Sequence, residues 1–443
     1  MKHFSESSGA GGKGLTEDED QEDQEDPNEP GRTPSPCPAI QHDPWLTPLP
    51  GSPLDILAAA IWSKLEAIAP RTSTRRPRKD ATERRKAIVG NILANLTVLA
   101  FSHPPGHRLA ISATNDAVTR YDRKDIPTVP LIKAVGVMAT MGLVTRSPGV
   151  SRRLRTTVEA SAALRSAMVL AGVSLADVAN APGCETIILK ADMGRRIPKR
   201  LISYQDCPEA DRLRAEMDTI NRALNGADIR LDGMRLPSIT MVRIFQLPSP
   251  ETAQSFNQYG RAYRGPWLDL KRERRRHLTI NGEHLCDLDY QAAFLSIAYA
   301  WHGVALPHGD PYSIAGLERH RAGAKQAISS MFFREGGIKR ISPELRALLP
   351  EGWTGERLTD AIMAHHQAIG PLLGTNCGPD LTFAESNILV AVLLRLISLG
   401  VVALGCHDGI LCAERHKAAA VRAMREVSAD LLGVALNVVE KPL

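Results

Sequence analysis

Residues 284–300 read HLCDLDYQAAFLSIAYA, an apolar run that closes on two carboxylates at alternate positions, Asp287 and Asp289, and passes into an aromatic-rich segment with helical spacing. Alternation places both carboxylates on one face of a strand. An unpaired buried carboxylate is costly to desolvate, so a strand end of this kind requires compensation. A bound metal ion is the usual compensation when the carboxylate is functional, which raises the question of a second metal ligand and a substrate elsewhere in the chain.

Two further segments answer it. In RAGAKQAISSMFF, Arg321, Lys325, Ser329 and Phe333 recur every four residues and share one face of a predicted helix. In VVALGCHDGILCA, two apolar runs flank His407, Asp408 and Gly409, as a tight turn between two strands would. Two carboxylates on neighbouring strands and cations on a helix suit nucleotidyl transfer, in which two Mg²⁺ ions about 3.5–4 Å apart clamp the attacking and leaving oxygens. Asp289 and Asp408 are the expected metal ligands, with Mn²⁺ as a substitute ion. Arg321 and Lys325 are expected to grip a triphosphate, Lys325 also neutralising or protonating the leaving pyrophosphate.

In this order the segments resemble the palm and fingers of family-A DNA polymerases and single-subunit phage-type RNA polymerases. Motif A, an Asp often followed by Tyr at a strand end, is matched by Asp289 and Tyr290. Motif B is matched by Arg321 and Lys325, with Ser329 and Phe333 at its last two positions, and motif C by His407 and Asp408. GDPYSIAG (309–316) is similar to the element ahead of motif B, and GRAYRG, from Gly260, to the Gly-Arg-x-Tyr segment of phage-type enzymes. The resemblance covers about 255–443. It implies a mixed α+β fold, a right-hand palm with an antiparallel sheet and small helical fingers, acting on DNA primer/template and nucleoside triphosphates. An RNA template or product is compatible with it.

The resemblance also implies site roles. Tyr290, Phe294, Ser329, Phe333 and His407 join Arg321 as substrate-binding candidates. Arg261, Arg272, Arg274, Arg275 and Arg276 stand where the relatives grip primer and template. Phe294, five residues after the motif A aspartate, implies a deoxynucleotide preference, because a bulky side chain there blocks a ribose 2′-hydroxyl. Phe333 stands where the relatives carry a Tyr that polices the same sugar and pulls the other way. Ser329 replaces a large stacking residue, and no Gly follows Phe333.

Composition sets the frame. A chain of 443 residues exceeds one ordinary core, so two or three domains are expected. The net charge of +5 hides an asymmetry: residues 1–30 hold ten acidic against two basic residues, leaving 52 basic and 39 acidic, a balance of +13, for the rest. Such a basic body fits a polyanionic partner. Seven cysteines without CxxC spacing argue against a structural zinc site or a disulfide scaffold. With no signal-peptide pattern at the N-terminus, a reducing, cytoplasmic setting is expected. NILVAVLLRLISLGVVALGC (387–406) has the length of a membrane span, but Arg395 and Gly400 favour a buried helix that turns at Gly400 into a strand, with no membrane partner.

Three regions are expected. Residues 1–52, acidic and then Pro-rich, read as a disordered tail. Residues 53–180 read as a helical, winged-helix-like nucleic-acid-binding domain: helices at 54–69, 87–102 and 130–144, a turn with Pro148 and Gly149, then a basic strand with Arg146, Arg152, Arg153 and Arg155 as wing contacts. Residues 181–443 form the polymerase-like domain, with a fingers insertion at about 305–380. One rival reading is a winged-helix replication or transcription regulator with a catalytically inactive polymerase-like scaffold. Another is a His-Asp phosphohydrolase using His407 and Asp408 with His365 and His366, disfavoured because such enzymes carry the pair on a helix.

Overall fold

Two hydrophobic cores organise the chain, one drawn from Leu54–Val178 and the other from Ile187–Leu436. The structure, a computed structural model, describes residues 39–68, 79–103, 106–111, 119–147, 156–194 and 197–443. It is a mixed α/β architecture with several sheets.

The first core is built by β1 (Ala39–Gln41), β2 (Leu46–Pro48), α1 (Pro53–Ile68), α2 (Lys79–Ser102), β3 (Arg108–Ile111), α3 (Thr128–Thr140), β4 (Val144–Ser147), β5 (Thr156–Ala160), α4 (Ala162–Leu170) and β6 (Val178–Asn180). A sheet of order β1-β3-β5-β4 has β1 parallel to β3 and the other pairs antiparallel. Helix α3 ends at Thr140, and Val144, expected in that helix, begins the hairpin β4–β5. The helix expected from residue 87 begins earlier, and the basic segment from Lys79 already belongs to α2.

The expected disorder of residues 1–52 is corrected from Ala39 onward. Pro-rich sequence is poor in backbone donors, and here α2 supplies further partners from two buried asparagines. Asn91 Nδ2 donates to the carbonyls of Asp43 and Leu46 (2.9 and 2.8 Å). Asn95 accepts from the Asp43 N–H and donates to the Asp43 carbonyl, both at 2.8 Å. Trp45 is buried against the same unit, and β2 pairs with β6. Tertiary capture thus orders a segment that has no local reason to fold.

The second core holds β7 (Ile187–Ala191), β8 (Arg200–Leu201), α5 (Pro208–Gly226), β9 (Ile229–Leu231), β10 (Met234–Arg235), β11 (Val242–Leu247), β12 (Tyr259–Tyr263), α6 (Arg272–Arg275), β13 (Leu278–Ile280) and β14 (Glu283–Tyr290). It continues through α7 (Ala293–Trp301), α8 (Arg321–Phe332), α9 (Pro343–Ala347), α10 (Gly355–His365), α11 (Gly378–Ser398), β15 (Ala403–Cys406), β16 (Gly409–Ala413), α12 (Lys417–Leu432) and β17 (Val438–Lys441). The large sheet runs β10-β9-β13-β14-β16-β15, and β17 pairs with the far half of β14. A smaller sheet, β12-β11-β7-β8, lies beside it.

Helix α11 is the one described helix long and apolar enough to cross a membrane, yet much of it is buried, packed against β12, α12, α5 and α7. Past its end the chain turns at Gly400, whose φ of +73° suits glycine, and enters β15. An ionic cluster ties the two regions: Glu185 accepts from Arg120 Nε (3.2 Å) and Arg214 Nε (3.0 Å), while the Arg120 guanidinium stacks on the Tyr204 ring at 3.7 Å.

Candidate active site

The strand β14 is apolar enough to lie in the middle of the sheet, and its alternation sorts its side chains. Leu288 and Tyr290 turn toward α12, where the Tyr290 hydroxyl donates to the Met424 carbonyl at 2.7 Å. Burial pushes the Tyr290 phenol well above its ordinary pKa. Tyr290 is therefore a core residue with its donor engaged, which corrects its expected place among substrate contacts.

Asp287 and Asp289 occupy the opposite face of β14. Asp289 is 3% exposed and directly opposes Gly409 on β16 and Val439 on β17. Asp408 lies next to that register partner in the two-residue turn between β15 and β16, and its carbonyl accepts from the Tyr290 N–H at 3.1 Å. The fold thus brings the ends of the two predicted aspartate-bearing segments together. A Cβ at Gly409 would lie 2.5 Å from the Leu288 carbonyl and 3.0 Å from Asp289 Oδ1, so only glycine permits this approach. Gly409→Ala is expected to cost about 1–3 kcal/mol by forcing the strands apart, read as a lower urea midpoint with an unchanged slope.

Around the carboxylates the structure adds Lys441, a group that the sequence did not single out. Lys441 Nζ contacts Asp289 Oδ2 from β17, whereas Asp289 Oδ1 is buried without a hydrogen-bond partner among the described residues. Asp287, 6% exposed, opposes Lys441 in register, and burial raises its pKa against the pull of Lys441, Arg275 and Arg272. His407 takes a φ of +53° at the turn and packs edge-on to Tyr263, ring centroids 5.8 Å apart. The GRAY segment and the His-Asp turn therefore meet. Just past β14, Ala292 takes a φ of 48°, a strained turn into α7 held by Ser296 Oγ donating to the Gln291 carbonyl.

The helix α8 places its predicted face as follows. Arg321 and Lys325 are exposed, Ser329 is buried, and Phe333 follows the last helical residue. Arg321 is held by Asp310 through Nε (2.6 Å) and Nη2 (3.1 Å), and lies over the Tyr312 ring at 4.9 Å. The GDPY element (309–312) is thus the partner of Arg321. Phe333 packs on the backbone of Gly378 and against Phe294, ring centroids 5.8 Å apart. Phe294 also meets Phe332 edge-on and has the Arg261 guanidinium 5.5 Å above its ring. The two positions expected to sense the sugar are therefore in contact.

Arg261 is engaged twice by Glu385, its Nε and Nη2 both 2.8 Å from Oε2. Glu385, 4% exposed on α11 and followed by Ser386 and Asn387, carries no pattern in the sequence that would single it out. Among the basic run, Arg274 pairs with Asp232, and Arg276 donates to His277. Arg275, half-buried, gives its Nε and Nη2 to the carbonyls of Leu270 and Leu268 and so braces the loop. Arg272 is exposed on α6. Arg146 is exposed on β4, while Arg152, Arg153 and Arg155 lie outside the described residues. No group of three or more His, Cys, Asp or Glu side chains forms a metal cage among the described residues.

No family model matches the chain, and no curated protein matches it. Among solved structures the chain is similar to the POL domain of Pol1 from M. smegmatis in complex with DNA primer-template and dNTP, with 16% identity and a TM-score of 0.24. The match covers 52% of this chain and 50% of that one, so the chain spans about half of that structure.

Proposed function

We propose that this protein is a template-directed nucleotidyltransferase, a DNA polymerase of the family-A type that extends a primer 3′-hydroxyl. The observation that carries the reading is the pairing of Asp289 with the Asp408 turn across adjacent strands, with one buried carboxylate oxygen of Asp289 lacking a hydrogen-bond partner among the described residues. Hard carboxylate oxygens fit Mg²⁺, which is commonly held by one or two carboxylates plus water and substrate phosphates rather than by a full protein cage. Bound at Asp289 and Asp408, two Mg²⁺ or Mn²⁺ ions would supply Lewis-acid stabilisation to the attacking and leaving oxygens. Lys325, exposed on α8, offers its ammonium to the triphosphate, and Arg321 joins it on release from Asp310. Arg261, His407 and the exposed Arg272, Arg274 and Arg276 are the proposed contacts to primer and template. The helix-and-hairpin unit α3–β4–β5, a winged-helix-like module in this reading, would add Arg146 and the neighbouring arginines as phosphate contacts.

The contact between Phe294 and Phe333 supports a sugar preference. Neither ring can hydrogen-bond a 2′-hydroxyl, so a ribose would bury that group unpaired against an apolar wall. Phe294→Ala is expected to raise ribonucleotide incorporation relative to deoxynucleotide by about 10- to 100-fold, measured as the ratio of kcat/KM for the two sugars on one primer/template. An unchanged ratio would remove Phe294 from the sugar contact.

The test of the function itself is extension of a labelled primer by the full chain, with deoxy- and ribonucleotides supplied separately in Mg²⁺ or Mn²⁺. No extension on DNA or RNA templates, together with retained DNA binding, would move the assignment to a nucleic-acid-binding regulator on a polymerase-like scaffold.

A further inference from the structure

One residue in the site belongs to neither the motifs nor the basic run. Lys441 lies on β17, directly opposite Asp287, and its ammonium contacts Asp289 Oδ2. The strand that carries it is fixed independently of that contact. Glu440 reaches the other face and pairs with Lys417 at 2.5 Å, the Gln291 N–H donates to the Asn437 carbonyl at 3.0 Å, and Asn437 Nδ2 donates to Gln291 Oε1 at 2.6 Å. The backbone therefore holds still while the lysine side chain, 39% exposed, retains room to move.

We infer that Lys441 is a tethered counter-ion that neutralises Asp289 until a divalent cation displaces it, so that β17 sets the metal affinity of the site. The inference rests on the metal site proposed above. A carboxylate this deeply buried needs a cation, and Lys441 supplies it within the chain. An ammonium and a divalent ion on the same carboxylate repel each other, so occupancy by one opposes the other. Lysine suits exchange because its charge is a compact point on a flexible stem, and Asp287, one pleat along the same face, can receive the displaced ammonium. An arginine fork would hold the carboxylate more rigidly.

The experiment is direct Mn²⁺ binding to the full-length chain, followed by electron paramagnetic resonance without nucleotide or DNA, for wild type, Lys441→Met, Lys441→Gln, Lys441→Arg and Asp408→Asn. Removing the competing charge is expected to tighten Mn²⁺ binding by about tenfold in the Met and Gln variants, a partly exposed ion pair being worth far less than a fully buried one. Lys441→Arg is expected to bind as weakly as wild type or more weakly. Melting temperature gives a second readout: without metal the neutral variants should melt lower than wild type, and saturating Mn²⁺ should raise them by more. Equal or weaker Mn²⁺ binding by folded Lys441→Met and Lys441→Gln overturns the inference while leaving the metal site intact. Mn²⁺ binding in wild type that Asp408→Asn does not weaken overturns the metal-site reading itself. Absence of a Mn²⁺ site from wild type and both neutral variants overturns both, whereas its appearance only on removal of the lysine charge supports the inference in its strongest form.

Discussion

Asp408→Asn is expected to lower primer extension by at least about a thousandfold while leaving the fold and DNA affinity in place. Asparagine keeps the shape of the side chain and its ability to accept a hydrogen bond, and removes the charge that makes a carboxylate a strong ligand for a hard divalent ion. Asp408 is the better probe of the pair. It occupies a partly exposed turn, whereas neutralising Asp289 would leave the Lys441 ammonium without its carboxylate at a buried strand end. Three readings of the same preparation decide the matter: single-nucleotide extension, primer/template affinity, and melting temperature. Lost extension with the other two unchanged assigns Asp408 to the chemistry. Extension above a tenth of wild type would show that Asp408 is not a metal ligand. Equal DNA binding by an inactive wild type and an inactive variant would favour the scaffold reading, in which neither aspartate matters.

How much of this was legible beforehand follows from which interactions are local. The strand, turn and helix around Asp289, the hairpin around His407 and Asp408, and the helix from Arg321 all announce themselves through alternation, turn residues and four-residue spacing. The meeting of Asp289 with the Asp408 turn was inferred only through resemblance, since nothing local in the sequence dictates strand pairing across 119 residues. Lys441 was invisible for the same reason. NVVEKPL reads as an ordinary charged segment, and only the register of β17 against β14 turns one lysine toward the carboxylates. The inward turn of Tyr290 and the loop-bracing bonds of Arg275 were not legible, because adjacency in sequence was read as adjacency to the substrate. A strand sends neighbours to opposite faces, and an arginine amid a basic run can still turn inward to backbone carbonyls. The Pro-rich stretch before Ser52 was misread because composition reports what a segment can do alone, and Asn91 and Asn95 bind it from another element.

Arg243→Met is expected to cost about 3–5 kcal/mol, the largest stability loss of any single substitution considered, seen as a fall in the urea midpoint. Arg243 is 1% exposed as the second residue of β11, a position where an arginine persists only if its donors are used. Nε donates to the Gly260 carbonyl at 2.7 Å, and Nη2 to Ser386 Oγ at 3.1 Å and Asn387 Oδ1 at 2.8 Å, while Nη1 lies 3.8 Å from Glu216 Oε2. Burial pulls the guanidinium down to about 10, a measure of how strongly the interior opposes its charge. Methionine approximates the length and would relieve that cost, which is why some buried ions can be replaced without loss. Here the partners remain: the buried Gly260 carbonyl and the half-buried Asn387 amide oxygen would both lose this donor, and the unmade bonds outweigh the relief. Arg243→Lys should recover only a part, since one ammonium cannot span β12, α11 and α5 together. The consequence reaches the site, because β12 carries Arg261 and Tyr263, and α11 carries Glu385. At temperatures where Arg243→Met remains folded, the Arg261–Glu385 pair and the His407–Tyr263 contact should loosen together, and kcat should fall more than KM rises. A urea midpoint equal to or above that of wild type would show that the hub specifies the fold's geometry without stabilising it.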